Sequence, residues 1–218
     1  MNHVVTLFDL KKRIKGLINE NNIDAIACLA LEDRRALNVL TSFSYDRDSE
    51  NTWRAIDAMG RTAGALIDTD YDFLRDVTRR LLWSVTEESG GIGWSSIDML
   101  GEIVRIDAGR FRDLIPVIAS MYEDETFRES VIYALSRIAD ISPELIQGVE
   151  GLILDALSEG SPRSKVYALR IVKKLRLKDA GNIVSKMVSD ETIARIYSDG
   201  YLENVELGSV AGEVYESI

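Results

Sequence analysis

Residues 81–104, LLWSVTEESGGIGWSSIDMLGEIV, hold two of the three tryptophans and the single Gly-Gly pair of this 218-residue chain. The apolar spacing on both sides of the glycines predicts the end of one helix, a sharp turn and the start of another. This helix–turn–helix pattern indicates how the rest of the chain is organised, because similar pairs of helical patterns follow it.

Four tetrapeptides that align without gaps indicate an internal repeat. They are IDAM at 56–59, IDML at 97–100, IYAL at 132–135 and VYAL at 166–169, at offsets of 41, 35 and 34 residues. Each lies in an amphipathic helical pattern, and a second pattern precedes the last three, at 72–87, 111–122 and 144–157. Two helices in each 34–41 residues are typical of an α-solenoid, in which stacked pairs bury faces that one pair leaves exposed.

The segments before the repeats are also predicted to be helical, at 6–21, 23–31 and 33–45. Lysines and an arginine cover much of the first helix, so a basic helix on a membrane surface is the alternative to a cap of the array. Near the C-terminus, Asp199-Gly200 between β-prone runs at 193–207 predicts a hairpin, and a short helix is expected at 210–218. Small residues recur where neighbouring repeat helices are expected to approach closely: Ala58, Gly60, Gly101, Ala134 and Ala168.

Residues 127–140, FRESVIYALSRIAD, are similar to the HEAT-like repeats of the phycobiliprotein-lyase type. The positions that match that pattern are Arg128, Ala134, Leu135, Ile138 and Asp140, and those that depart from it are Phe127, Val131, Ser136 and Ala139. The resemblance covers about residues 50–178 and implies an all-α fold, an armadillo-like α-α superhelix. We therefore expect a HEAT-like solenoid at 1–190 and a small C-terminal β-hairpin plus short helix at 191–218.

Composition narrows the classes of function. The net charge of −10 disfavours nucleic acid as a partner, because such binding depends on neutralising phosphates. The single cysteine, Cys28, excludes an intramolecular disulfide and favours a reducing, cytoplasmic location, and its apolar neighbours predict that it is buried. No apolar run predicts a signal peptide or a membrane span. The single histidine, His3, leaves no candidates for Ser-His-Asp or histidine–zinc chemistry, and no cofactor or metal is predicted.

The turn at 87–94 is the first candidate binding site. It combines two carboxylates, three glycines and the tryptophan that begins the next helix: Glu87, Glu88, Gly90, Gly91, Gly93 and Trp94. Free N–H groups at that helix start could bind an anion or a carboxylate of a partner. The alternative is a wide turn whose glycines serve only its backbone geometry.

A second candidate site is the pattern Trp-x-x-x-Asp, which occurs at Trp53/Asp57 and at Trp94/Asp98. Residues four apart share one face of a helix. The arrangement resembles the DNA alkylation-repair glycosylases built from HEAT-like repeats, and that resemblance implies an aromatic and acidic surface for a positively charged damaged base. Core tryptophans beside surface aspartates are the alternative.

A third candidate is the basic strip, which has no acid within 163–178 and includes Arg163, Arg170, Lys173 and Lys174. It predicts a docking surface for an acidic partner, or for residues 179–218 of a second copy, which carry eight acids and two bases. A solvated helix face is the alternative. Since no catalytic set is recognisable, we expect a non-catalytic scaffold that binds a protein partner through a concave face. A glycosylase-like or tetrapyrrole lyase-like enzyme and a homo-oligomer remain the alternatives.

Overall fold

The computed structural model is 70% helical and describes residues 6–86 and 95–218. These residues form twelve α-helices and one antiparallel hairpin, which confirms a predominantly helical class with a C-terminal hairpin. In chain order the elements are α1 (Leu7–Asn19), α2 (Ile23–Glu32), α3 (Ala36–Thr41), α4 (Glu50–Leu66), α5 (Tyr71–Thr86), α6 (Ser96–Ile106), α7 (Leu114–Ser120), α8 (Arg128–Ala139), α9 (Glu150–Glu159), α10 (Pro162–Leu175), α11 (Gly181–Met187), β1 (Ile193–Ser198), β2 (Tyr201–Glu206) and α12 (Leu207–Tyr215).

The chain consists of two compact units, Met1–Ile106 and Asp107–Ile218. In the first unit α4 packs against α2 and α6, and in the second α10 packs against α8, α9 and α12. The four helices that carry the repeated tetrapeptides are α4, α6, α8 and α10. Within each unit, the two repeat helices therefore pack directly against each other.

Residues at matching repeat positions make these helix contacts. Tyr133 and Tyr167 occupy the second position of their tetrapeptides, and their rings meet edge to face with centroids 5.1 Å apart. In the first unit, Gly60 brings α4 so close to α6 that an added Cβ would lie 3.0 Å from the backbone oxygen of Glu102. Gly60, one of the small residues that the sequence places between repeat helices, thus permits a close approach of α4 and α6.

The C-terminal hairpin forms where the sequence predicts it. Asp199 and Gly200 both have positive φ, 47° and 95°, as a two-residue hairpin turn requires. The strands pair in register from Ile193 opposite Glu206 to Ser198 opposite Tyr201. The following helix begins three residues earlier than expected, at Leu207, because β2 leads into it without a loop.

Three local predictions are wrong. Only Ala36–Thr41 of the segment 33–45 is α-helical. The segment 144–157 is not one helix, because a 3₁₀ turn at Pro143–Leu145 and a positive φ at Gly148 precede the start of α9. Cys28 is exposed rather than buried, because the buried face of α2 is formed by Ile26, Leu29 and Ala30.

Membrane crossing requires a helix that is both long and apolar. Among residues 6–86 and 95–218, no helix meets both conditions. The first helix, α1, buries Leu10, Ile14 and Ile18 within the protein and is capped by the Thr6 hydroxyl, which accepts a hydrogen bond from the Asp9 backbone. These three residues recur at helical spacing, so an apolar side of α1 is used for internal packing.

Candidate functional site

The first candidate site, the turn at 87–94, lies outside the described residues. Its predicted binding residues Glu87, Glu88, Gly90, Gly91, Gly93 and Trp94 therefore stay predictions. The helices on either side are tied together next to it, since the Ser84 and Ser96 hydroxyls are hydrogen-bonded at 2.8 Å. The Ser95 hydroxyl also donates to the backbone oxygen of Ser44 at 2.7 Å.

Arg47, which belongs to none of the sequence motifs, brings Trp53 and Asp98 to one place. Its guanidinium makes two hydrogen bonds to the Asp98 carboxylate, at 2.8 and 3.3 Å. It also lies 5.0 Å from the centroid of the Trp53 ring, whose indole N–H donates to the Arg47 backbone oxygen at 2.8 Å. Trp53 and Asp98 are fully buried, so this cluster joins α4 to α6 from within.

Asp57 makes a separate contact between the same two helices. Its carboxylate lies 3.7 Å from the guanidinium of Arg105, which also donates to the buried Glu102 at 2.5 Å. Trp53 and Asp57 share a helix face in spacing, yet each serves a different inter-helix contact. A single aromatic and acidic surface open to solvent is not formed by Trp53, Asp57 and Asp98.

Two lysines of the basic strip are paired with acids of the same unit. The Lys173 ammonium lies 3.6 Å from Glu213 on α12, and the Lys174 ammonium lies 3.3 Å from Asp140. Glu213 belongs to the acidic segment 179–218, which was predicted to contact the strip from a second copy. Part of the charge complementarity between the strip and this segment is thus used within one chain.

Two arginines of the strip also make contacts within the second unit. Arg163 lies 3.3 Å from the Glu129 carboxylate and donates to the backbone oxygen of Arg195 on β1 at 2.7 Å. Arg170 lies 5.8 Å from the ring centroid of Tyr167 on its own helix. The strip therefore holds the C-terminal elements on α10 in addition to facing solvent.

A large groove lies in the second unit and is here called the α7–α9 groove. Its volume is about 930 Å³, and it is open to solvent. It is lined mainly by apolar atoms, from α7 on one side and from 145–152, which includes the start of α9, on another. The lining residues are Arg112, Asp113, Ile115, Pro116, Ala119, Ser120, Tyr122, Glu123, Arg128, Leu145, Gln147, Gly148, Val149 and Leu152.

A polar pocket of about 570 Å³ adjoins the groove, and Tyr122 and Arg128 line both. This acidic pocket is lined by Tyr122, Glu125, Arg128, Glu129, Asp155, Glu159, Gly160, Ser161 and Ser164. Its lining contains four carboxylates and one guanidinium. The groove and the acidic pocket therefore adjoin along a shared wall, with a mainly apolar part on one side and a negatively charged part on the other.

Tyr122 is fixed at the boundary between the two parts. Its hydroxyl donates to Asp155 at 2.8 Å, and the Arg128 guanidinium lies 5.4 Å from the centroid of its ring. Burial, followed by the hydrogen bond to Asp155, raises the pKa of the Tyr122 phenol. The phenol is therefore neutral and remains a hydrogen-bond donor at neutral pH, which makes it unsuitable as a general base.

Two hydroxyl groups of this surface are held by hydrogen bonds within the same unit. Ser120 donates to the backbone oxygen of Val117 at 2.8 Å, and Ser161 donates to Glu129. In the ranges 6–86 and 95–218, no three His, Cys, Asp or Glu side chains are grouped so that they could hold a metal ion. What the groove offers is apolar surface beside fixed charges, which is the chemistry of binding.

The groove was not found from the sequence. The sequence signal was indirect: 111–122 has the spacing of an amphipathic helix, and Pro116, which lines the groove, is an apolar residue that lies on its exposed side. No family model matches the chain, and no curated protein matches it.

Proposed function

We propose that this chain is a non-catalytic, HEAT-like α-solenoid of the cytoplasm that binds a protein partner through a concave surface, the α7–α9 groove. The repeated packing of α4 on α6 and of α8 on α10 supports the solenoid, and the single cysteine supports the reducing location.

The observation that carries the proposed binding function is the open, mainly apolar α7–α9 groove. Apolar surface left in contact with water costs free energy that an apolar partner surface recovers when it covers the groove. The volume lies at the upper end of the range for small-molecule sites, and the groove is open rather than enclosed, which favours a polypeptide. The glycosylase-like and lyase-like alternatives stay predictions, because Trp94 and its turn lie outside the described residues; Trp53 and Asp98 themselves are enclosed and paired within the chain.

Photo-crosslinking in living cells tests this proposal. A photoreactive amino acid is placed at Ala119 or Leu152, which line the groove, and at the exposed Val188, which does not. We expect both groove positions to capture the same protein and the control position to miss it. That protein, purified, should then bind the chain with a measurable Kd.

A substitution that fills the groove completes the test. Ala119→Trp should weaken binding of the captured protein at least tenfold, whereas Ser185→Trp, on an exposed position of α11, should leave the Kd unchanged. Circular dichroism establishes that both variants are folded. Equal affinity of the two variants, or equal capture at Val188, would show that the groove is not the docking surface.

A further inference from the structure

The acidic pocket determines what kind of segment the α7–α9 groove accepts. This inference rests on the proposed function, because it names the chemistry of the partner that occupies the same surface. Tyr122 and Arg128 line both cavities, so a chain lying in the groove can extend a side chain into the acidic pocket without leaving the surface.

The charge balance of the acidic pocket is negative. Of its four carboxylates, Glu129 faces Arg163 at 3.3 Å, and Glu125 faces Arg128 at a longer distance of 4.0 Å. Asp155 has the neutral Tyr122 phenol as its hydrogen-bond donor, and Glu159 is exposed. Four carboxylates against two guanidiniums leave a surplus of two negative charges, located at Asp155 and Glu159.

The wall of the pocket is suited to a long basic side chain. The Tyr122 ring already has the guanidinium of Arg128 stacked 5.4 Å from its centroid, so this environment accepts a cation beside an aromatic ring. Lysine and arginine carry apolar stems that pack on apolar lining such as that of the groove, while their charged groups reach carboxylates. An acidic or phosphorylated segment would instead place like charges together in a partly enclosed site.

We propose that the α7–α9 groove binds a polypeptide segment in which apolar side chains stand next to a lysine or arginine, and that the basic group enters the acidic pocket beside Asp155 and Glu159. The apolar side chains contribute most of the buried area, and the basic side chain sets the register and the selectivity. The same charges exclude anionic partners from this surface.

Selection of binders from a random peptide library displayed on phage, with the full chain as bait, tests the inference. Peptides that also bind the Ala119→Trp variant are removed in a counter-selection, so the retained peptides depend on the groove. We expect the retained peptides to be enriched in a Lys or Arg adjacent to two or more apolar residues. Enrichment of neutral or acidic peptides would overturn the inference while leaving the groove as the docking surface.

Charge variants then test whether the basic residue of the peptide lies in the acidic pocket. The double variant Asp155→Asn/Glu159→Gln removes the two surplus charges with little change in shape. It should raise the Kd of a synthetic selected peptide about tenfold, as measured by fluorescence anisotropy. The matched control, Glu203→Gln with Glu206→Gln, makes the same change in net charge on β2 and should leave the Kd unchanged. Equal effects of the two double variants would overturn the placement.

The failure of the inference and the failure of the proposed function are distinguishable in these experiments. If Ala119→Trp abolishes binding but the Asp155/Glu159 variant does not weaken it, the groove binds a partner without using the acidic pocket. If no peptide depends on the groove, both proposals are wrong. Raising the salt concentration should weaken the wild-type complex more than that of the Asp155/Glu159 variant, because fewer charges remain to be screened.

Discussion

Replacing Gly60 with alanine tests the close packing of the repeat helices in the first unit. The added Cβ would lie 3.0 Å from the backbone oxygen of Glu102 on α6 and 3.1 Å from the Glu102 Cβ. Because one of these atoms belongs to the backbone, the clash is relieved only if α4 and α6 move apart. Gly64, one turn later on α4, provides a matched control, since its added Cβ would meet Ile106 at an ordinary 3.6 Å.

The magnitude follows from two opposing terms. Alanine in a helix interior is more favourable than glycine by about 0.5–1 kcal/mol, and this gain applies equally at both positions. Overpacking of a tight contact costs about 1–3 kcal/mol and applies at Gly60 alone. The propensity gain cancels when the two variants are compared, so Gly60→Ala should be about 1–3 kcal/mol less stable than Gly64→Ala.

Urea unfolding followed by tryptophan fluorescence measures this difference. With a slope of about 2 kcal/mol per molar urea, a difference of about 2 kcal/mol shifts the midpoint by about 1 M. We expect Gly64→Ala to be slightly more stable than the wild type and Gly60→Ala to be less stable. Midpoints that agree within about 0.1 M would refute the tight α4–α6 contact as the reason for the glycine.

Three further perturbations address the other contacts. Asp98→Ala removes the carboxylate that binds Arg47 and should lower the free energy of unfolding, measured in urea, by about 2–4 kcal/mol. This is slightly below the value for a fully buried pair, because Arg47 is partly exposed. A decrease of less than about 0.5 kcal/mol would contradict a structural role of this ion pair. Gly208→Ala would put a Cβ 2.7 Å from a backbone oxygen and should lower Tm, whereas Gly212→Ala, with open space around it, should not. The raised pKa of Tyr122 means that the folded state holds this proton more tightly than the unfolded state. Its contribution to the free energy of unfolding is therefore complete below about pH 10 and is lost as the pH rises towards the folded-state pKa. In Tyr122→Phe, the free energy of unfolding, measured up to pH 11, should not show this loss.

Local signals in the sequence predicted those elements whose conformation depends on neighbouring residues. The hairpin was predicted because Asp199 and Gly200 tolerate positive φ, and both adopt it. The repeat helices were predicted because their apolar residues recur at helical spacing. The segment 144–157 was mispredicted for the same kind of reason, since its helical spacing continues through Gly148, whose φ of 78° breaks the helix.

The candidate site depended on information that spacing does not contain. Trp53 and Asp98 were predicted as possible binding residues from their own helices, but Arg47, which precedes α4, occupies the space between them. Cys28 was predicted to be buried from its apolar neighbours, yet it lies on the side of α2 away from Ile26 and Leu29. In both cases the outcome was decided by contacts with residues distant in sequence or by the orientation of the helix.

The sequence by itself determined where most of the helices and the hairpin lie, because these follow from backbone preferences and from the period of apolar residues over a few turns. Only the tertiary structure decided which faces were covered and where a cavity stayed open. The α7–α9 groove and the acidic pocket bring together residues from 112 to 164, and their shape is set by how α7, α8 and α9 pack. Such packing is fixed by the fit of distant side chains, which no local pattern records.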